Sequence, residues 1–256
     1  MSRFKDLFSR KSDRVLNVYV TAGYPKIDST LEIMEVLQHH GVDVIELGMP
    51  YSDPLADGPV IQDSSTVALN NGMTIEKLFK QLKGLRDKIH LPVVLMGYMN
   101  PVIQYGFEKF CAEAEAVGID GLILPDLPVL EYERCYGEIL KKHNLDFIFL
   151  VTPETNEERV RKLDALSSGF LYAVSSSSTT GKEQDFSAVN SYLDKLRSYR
   201  LKNPVLVGFG IKDKFTFDAV QGHANGAIIG SAFIKALGQE GEPKAIASKF
   251  INSVLN

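Results

Sequence analysis

The chain has 256 residues, of which 45% are hydrophobic and 23% are charged, and its formal net charge is -4. This composition is typical of a globular protein with a sizeable core, and the interspersed charges form no basic stripe that would suit nucleic acid or an anionic membrane. The apolar runs have the length of strands, so we expect no segment that spans a bilayer. The segment from Met1 to Arg14 lacks the apolar core of a signal peptide, which predicts a cytoplasmic location.

Short apolar segments rich in β-branched residues recur along the whole chain. Most are continuous apolar runs and not strict alternations, as expected for parallel strands that are covered on both faces. Eight segments are predicted as strands: Leu16–Thr21, Val42–Leu47, Pro92–Gly97, Gly121–Leu124, Asp146–Val151, Phe170–Val174, Val205–Gly208 and Gly226–Ile229.

Segments with a helical period of apolar residues lie between these strands. The clearest are Thr30–His40, Phe107–Val117, Glu131–Asn144 and Lys244–Leu255. Further helices are predicted over Ile61–Asn71 and Ile75–Lys88, and a short extra helix over Arg3–Lys11 is expected to cover the bottom of the fold.

Eight strands that each lead into a helical pattern predict a single (β/α)8 barrel domain over residues 1–256. The alternative is a doubly wound open sheet, but the turn from Thr21 to Pro25 lacks the G-x-G-x-x-G fingerprint of that fold. Two connections are long, one after strand 2 through Pro50–Pro59 and one after strand 6 from Ser175 to Phe186. Both are expected at the carboxyl ends of the strands, where barrel active sites lie.

Glu46 stands near the carboxyl end of the second predicted strand. Because side chains alternate along a strand, Val42, Val44 and Glu46 share one face while Ile45 and Leu47 face the helices. A carboxyl group that points into the top of a barrel is desolvated, which raises its pKa and lets it give and take a proton near neutral pH. A buried Glu paired with a basic residue is the alternative, and few basic residues lie near the other strand ends.

Asp57 lies in the loop that follows Glu46. Three prolines restrict this loop, and Gly58 is expected to allow a tight turn, so Asp57 should be held in place above Glu46. The alternative is that Asp53 and Asp57 only form turns. We favour that alternative for Asp53, and for Asp57 the local pattern does not decide between the two.

Glycines follow the last three predicted barrel strands. Glycine lets backbone N–H groups approach an anion closely, and a helix N-terminus carries partial positive charge, so these positions predict a phosphate site. Each glycine could instead be a simple cap or turn. The predicted phosphate-binding residues are Gly181, Gly210, Gly230 and Ser231.

Tyr172 shares a strand face with Phe170 and Val174, so it is predicted to point inward near Glu46. A core tyrosine with a satisfied hydroxyl explains this position equally well. Cys111 and Cys135 form no C-x-x-C pair, and no histidine stands at metal-ligand spacing from them, so we expect no metal site.

The sequence closely resembles the tryptophan synthase α chain family, and the resemblance spans the whole chain. The most specific match is Ile45–Gln62, with the sequence IELGMPYSDPLADGPVIQ. Further matching segments are Val20–Pro25, Met96–Pro101, Leu124–Pro128, Thr180–Gly181, Gly208–Ile211 and Gly230–Ala232.

The resemblance implies retro-aldol cleavage of indole-3-glycerol phosphate to indole and glyceraldehyde 3-phosphate. By motif, Glu46 matches the acid–base that protonates the indole ring carbon, Asp57 matches the carboxylate that meets the indole N–H, and Tyr172 matches a tyrosine beside the first carboxylate. The resemblance also implies no cofactor in this chain and an α2β2 assembly with a β chain that carries pyridoxal phosphate. Residues expected to line the substrate pocket are Tyr19, Met96, Leu124, Thr180 and Phe209.

Two positions depart from the family pattern, because Ser178 and Thr179 stand where the family usually has a glycine and a valine. Non-glycine residues stiffen a loop, so the mobility of the strand-6 loop is in question while the reaction class is not. Two other functions stay open from the residues alone. The chain could mainly activate a partner through its two long loops, or it could be another phosphate-binding barrel enzyme such as a sugar-phosphate isomerase.

Overall fold

Nine short strands form the centre of the computed structural model, which describes residues 2–174, 186–208 and 210–256. Their apolar, β-branched sequences suit strands that are covered on both faces. The strands are β1 Val15–Thr21, β2 Val44–Gly48, β3 Val93–Met96, β4 Gly121–Ile123, β5 Asp146–Phe147, β6 Leu150–Val151, β7 Leu171–Val174, β8 Val205–Gly208 and β9 Gly226–Ile229.

All neighbouring strands pair in parallel, in the order β5-β4-β3-β2-β1-β9-β8-β7-β6. The two end strands belong to one continuous segment. Between them, the Ile148 N–H donates to Leu122 O at 3.0 Å, and Phe149 O accepts from the Tyr172 N–H at 3.0 Å. The segment therefore joins both edges of the sheet, and the ring of strands is closed.

The barrel prediction is confirmed. The predicted strand Asp146–Val151 appears as β5 and β6, because its middle residues change from β4 to β7 as their hydrogen-bonding neighbour. The other seven predicted strands agree with the structure to within two residues at each end.

Helices surround the ring, and several start at capping side chains. Ser2, Thr74 and Asn156 each accept a hydrogen bond from a first-turn N–H, and Asp213 forms a capping box with Thr216. The helices are α1 Arg3–Arg10, α2 Ser29–His39, α3 Pro59–Asn70, α4 Ile75–Gln81, α5 Leu85–Lys88, α6 Met99–Tyr105, α7 Phe107–Val117, α8 Val129–Glu131, α9 Gly137–Lys142, α10 Glu157–Leu166, α11 Phe186–Ser198, α12 Lys214–Asp218, α13 Ser231–Leu237 and α14 Pro243–Leu255, with a π-helical turn at Tyr132–Tyr136.

The predicted helix Ile75–Lys88 is divided into α4 and α5. Gly84 lies between them with a φ of 75°, a left-handed conformation that interrupts a helix. In the part of the chain that the structure describes, no helix is both long and apolar enough to cross a membrane.

The core has two layers separated by the strands. The inner layer fills the barrel and includes Val44 and Phe170, whereas Ile45 and Leu47 pack outside it against the helices, as the alternation predicts. Val42 precedes β2 and packs in the outer layer, so its predicted inward position is wrong. Phe4 of α1 contacts the inner layer, with its ring 5.7 Å from that of Phe170, and α1 thereby closes the amino end of the barrel.

Candidate active site

Glu46 lies on β2 at the carboxyl end of the ring, with only 1% of its surface exposed. Its backbone is in register with Tyr19 of β1, and the Asn17 Nδ2 donates to Glu46 Oε2 at 3.0 Å. Burial raises the pKa of Glu46 to about 8, the Asn17 hydrogen bond opposes this rise, and the Asp57 charge adds to it. A carboxyl group with this pKa can act as an acid at neutral pH.

Asp57 lies in the loop between β2 and α3, and its side chain is partly buried. The Ala56 N–H donates to the Tyr98 Oη at 3.1 Å, and the Gln62 Nε2 donates to Asp57 O at 2.7 Å. Burial raises the pKa of Asp57, and a hydrogen bond with the Tyr98 hydroxyl opposes the rise. The loop is thus held in place, and the charge of Asp57 raises the pKa of Glu46.

The prediction that Gly58 makes a tight turn is wrong. Gly58 has a φ of -74° and caps the start of α3, a conformation open to any residue. Pro59 occupies the first turn of α3, where its fixed φ suits a helix start, so the helix itself fixes the end of the Asp57 loop.

Two buried tyrosines lie near the carboxyl groups, Tyr19 on the neighbouring strand β1 and Tyr172 on β7 across the ring. Burial is the main cause that raises the pKa of Tyr19 and of Tyr172, and the charges of Glu46 and Asp57 raise both further. A Cβ added at Gly48 would lie 2.0 Å from the Tyr19 Oη, and one at Gly208 would lie 2.3 Å from the Tyr172 Oη. These glycines therefore make room for the two phenol groups, and both tyrosines remain neutral donors near the carboxylates.

Three of the predicted phosphate-binding residues are described. Gly210 has a φ of 80°, while Gly230 caps α13 and Ser231 is the exposed first residue of that helix. A Cβ at Gly230 would lie 3.6 Å from the Tyr19 Cβ, which places this helix start beside the carboxyl end of the barrel. Free backbone N–H groups at such a start suit an anion. Thr180, Gly181 and Phe209 lie outside the described residues.

Two of the predicted pocket residues occupy different layers. Met96 ends β3 and packs against Tyr19 and Ile61 at the mouth of the barrel. Leu124 follows β4 and is buried in the outer layer, at 3% exposure. The place of Met96 beside Tyr19 supports its predicted role in the pocket, whereas the packing of Leu124 does not bear on it.

Asn17 and Tyr98 were not predicted from the sequence, yet they contact the two carboxylate positions. Asn17 is a polar residue between Val15 and Tyr19 on the inward face of β1, and this alternation could have revealed it. Tyr98 lies two residues after the end of β3. Its contact with Ala56 depends on how the loop after β2 folds, so the sequence pattern gives no sign of it.

Comparison with known proteins now identifies the family of the chain. The family model described as the tryptophan synthase alpha chain matches residues 4–254. The chain belongs to this family. A tryptophan synthase alpha chain from Parabacteroides distasonis is 48% identical to it and covers 99% of both sequences, and one from Bacteroides thetaiotaomicron is 47% identical over 95% of this chain and 96% of the relative.

Solved structures agree with this assignment. The tryptophan synthase subunit alpha from Legionella pneumophila strain Paris has a TM-score of 0.91 and 32% identity, with 99% of this chain and 97% of the other covered. Tryptophan synthase from M. tuberculosis has a TM-score of 0.85 and 31% identity, with 99% and 100% covered. The tryptophan synthase alpha chain family is a lyase family that cleaves indole-3-glycerol phosphate in tryptophan biosynthesis, and its pyridoxal phosphate belongs to the beta chain.

Proposed function

We propose that this chain cleaves indole-3-glycerol phosphate with Glu46 as the acid–base and Asp57 as the carboxylate that accepts the indole N–H. The observation that carries this assignment is the state of Glu46, a buried carboxyl group at the barrel mouth whose pKa is raised to about 8. Burial also raises the pKa of Asp57, and the charge of Asp57 acts on Glu46, which supports a separate role for Asp57 at the same site.

The reaction breaks the bond between the indole ring carbon and the glycerol carbon that carries a hydroxyl. Neutral Glu46 gives its proton to the ring carbon, and Asp57 holds the indole N–H so that the ring nitrogen can release electrons toward that carbon. When the bond breaks, its electron pair stays on the protonated ring, which leaves as indole. The glycerol hydroxyl loses its proton to the Glu46 carboxylate and becomes the carbonyl of glyceraldehyde 3-phosphate, which returns Glu46 to its neutral form.

The remaining residues place the substrate. Gly210, Gly230 and Ser231 at the ends of β8 and β9 offer backbone N–H groups to the phosphate, and Gly181 is assigned the same role from the sequence. Tyr19 and Met96 form an apolar wall for the indole ring, to which the sequence adds Leu124, Thr180 and Phe209. Tyr172 keeps a neutral phenol beside Glu46, where its hydroxyl can donate to that carboxyl group or to the substrate.

Replacing Glu46 with Gln tests the assignment, because Gln keeps the size of the side chain but cannot transfer the proton. We expect Glu46→Gln to reduce the rate of indole release about 10²- to 10⁴-fold while the Kd for the substrate changes less than about threefold. Indole release is measured colorimetrically and substrate binding by calorimetry. Glu138→Gln, an exposed carboxylate on α9 paired with Lys141, serves as the matched control and should keep full activity. Near-normal turnover by Glu46→Gln contradicts the assignment.

We also propose that the chain binds a beta chain in an α2β2 assembly through exposed apolar residues at the barrel mouth. Leu55 is 82% exposed in the loop after β2, Ile103 is 50% exposed on α6 after β3, and Leu130 is 52% exposed on α8 after β4. Consecutive strands β2, β3 and β4 carry these segments on their carboxyl ends, so the three side chains lie on one side of the ring. Exposed apolar residues on one face are typical of a protein interface.

A charge at the centre of that face should weaken the assembly. We expect Leu55→Asp to raise the Kd for the beta chain of the same organism at least about tenfold, because a desolvated carboxylate would replace an apolar contact. Phe215→Asp is the control, since Phe215 is 76% exposed after β8 on another side of the ring. Equal Kd values for Leu55→Asp and the unaltered chain, measured by calorimetry, would exclude this surface.

Three further points stay proposals. The joining of β1 with both β2 and β9 supports a single domain over residues 1–256. The family's arrangement, in which pyridoxal phosphate belongs to the beta chain, supports a reaction without a cofactor in this chain. Membership of a biosynthetic family supports the cytoplasmic location expected from the sequence.

A further inference from the structure

Asn17 is a fully buried amide in the centre of the barrel. None of its surface is exposed, and its Nδ2 donates to Glu46 Oε2 at 3.0 Å. Its other polar atom, Oδ1, is buried without a hydrogen-bond partner among the described residues. The amide therefore uses its donor but not its acceptor, and the donor faces the carboxyl group assigned to the reaction.

A half-satisfied buried amide is unfavourable for stability, because each unpaired buried polar atom costs about 1 to 3 kcal/mol. The neighbouring inward positions hold apolar residues: Val15 lies on the same strand, and Val44 pairs in register with Asn17 on β2. An apolar residue would fill position 17 without leaving Oδ1 unpaired. The contact with Glu46 is thus the feature of the structure that explains an amide at this position.

The hydrogen bond also distinguishes the two oxygens of Glu46. Because Nδ2 can only donate, Oε2 is the oxygen that accepts from Asn17. In the neutral carboxyl group, the proton then resides on Oε1. That oxygen is the one left to exchange a proton with the substrate.

We propose that Asn17 is a positioning residue for the cleavage reaction, which holds Glu46 Oε2 so that Oε1 carries the reacting proton. This inference rests on the proposed function of Glu46. It assigns Asn17 no contact with the substrate, since the amide acts through Glu46.

The same bond affects the protonation of Glu46. Burial is the main cause that raises its pKa, the Asn17 hydrogen bond opposes the rise, and Asp57 adds to it. Among the described residues, Tyr19 from β1 and Tyr172 from β7 also interact with the Glu46 charge, and both have pKa values raised above their ordinary range, so they stay neutral. Loss of the Asn17 donor should therefore raise the pKa of Glu46 further.

The test is the pH dependence of kcat/KM for Asn17→Leu, which keeps the shape of the side chain but cannot donate. Because Glu46 acts first as an acid, kcat/KM of the unaltered chain should fall above about pH 8, in line with the pKa of the free enzyme. In Asn17→Leu this fall should move upward by roughly one pH unit, as expected for a lost hydrogen bond to a charged group. We expect kcat to fall about tenfold and KM to change little, since the proton is no longer held in place.

Two further variants keep the outcome decisive. Asn17→Ala also removes the amide donor without adding a charge, and it carries the test if the Leu variant does not fold. Ser167→Ala removes another buried hydrogen bond, which Ser167 Oγ accepts from the Phe149 N–H at 3.1 Å, and it should leave both kcat and the pH profile unchanged.

An unchanged kcat and pH profile in both Asn17 variants would overturn this inference, while a large loss of activity in Glu46→Gln would still support the proposed function. If Glu46→Gln is fully active, the proposed function fails first, and the role of Asn17 fails with it. A loss of stability in the Asn17 variants without a shift of the pH profile would likewise overturn the positioning role.

Discussion

The two ends of the barrel bury a carboxylate in opposite ways. At the amino end, Asp120 is 7% exposed and accepts hydrogen bonds from Arg3 Nη1 at 2.8 Å, from Arg86 Nη2 at 2.5 Å and from the Val93 N–H at 2.7 Å. At the carboxyl end, Glu46 is 1% exposed and accepts from the neutral Asn17 amide at 3.0 Å. Two cations compensate the charge of Asp120. Glu46 instead has burial and the Asp57 charge, which raise its pKa, and the Asn17 amide, which lowers it.

This difference separates a carboxyl group that is paired within the fold from one that is able to transfer a proton. Two guanidinium groups and a backbone N–H hold the Asp120 side chain in place between α1, α5 and β3. Burial without a cation raises the pKa of Glu46 to about 8, so the neutral acid persists at pH 7. A buried carboxyl group without a cation is unfavourable for stability, and Glu46 lies at the carboxyl end of the barrel, where active sites of this fold are found.

The largest effect on stability is expected from the amino end. Asp120→Asn keeps the size of the side chain but leaves the guanidinium groups of Arg86 and Arg3 without their carboxylate, and Arg86 is only 19% exposed. Removing one partner of a buried ion pair leaves an uncompensated charge, so we expect the free energy of unfolding to fall by about 3 kcal/mol. The loss is measured as a lower urea midpoint at an unchanged m-value.

The same variant sharpens the comparison through its activity. Asp120 lies at the opposite end of the barrel from Glu46, so kcat of the folded Asp120→Asn variant should stay within about twofold of normal. Glu76→Gln is the matched control for stability, because Glu76 forms a 2.6 Å pair with Lys80 that is exposed on both sides. Its removal should leave the urea midpoint nearly unchanged. A loss of similar size in both variants would show that burial does not distinguish the two ion pairs.

Much of the fold follows from local pattern. The apolar runs and helical periods predict the strands and the main helices, because burial on both faces of a strand and on one stripe of a helix repeats with a fixed period. The division of Asp146–Val151 into β5 and β6 could not be predicted, since it depends on which neighbours the closed ring offers. The break at Gly84 was missed because a single glycine within a helical pattern is often tolerated.

The site is less fully encoded in local sequence. Glu46 and Tyr172 follow from alternation on strands, and the structure places both at the inner face of the barrel mouth. The roles of Asn17 and Tyr98 depend on contacts across strands and between loops, at sequence separations of 29 and 42 residues. A single sequence read locally does not give these contacts. Thr180, Gly181 and Phe209 lie beyond the described residues, so their roles remain predictions.

An effect on stability of the opposite sign is expected from Glu46→Gln. The pKa of Glu46 is near its ordinary 4.5 in the unfolded chain and about 8 in the folded one. Between these values the folded state keeps a proton that the unfolded state has released, so the free energy of unfolding falls as pH rises from about 4.5 to about 8. Gln carries no such proton, so the variant should be more stable than the unaltered chain at pH 8.5, with a higher urea midpoint.

Urea unfolding at pH 4 and at pH 8.5 measures this difference, and the two proteins should be nearly equal at the lower pH, where Glu46 is neutral in both states. A higher free energy of unfolding at pH 8.5 together with lost activity would mean that Glu46 destabilises the fold and is needed as an acid at neutral pH. Equal stability at both values would mean that Glu46 is compensated as fully as Asp120. The two ends of the barrel would then differ in where they bury a carboxyl group but not in how that group affects stability.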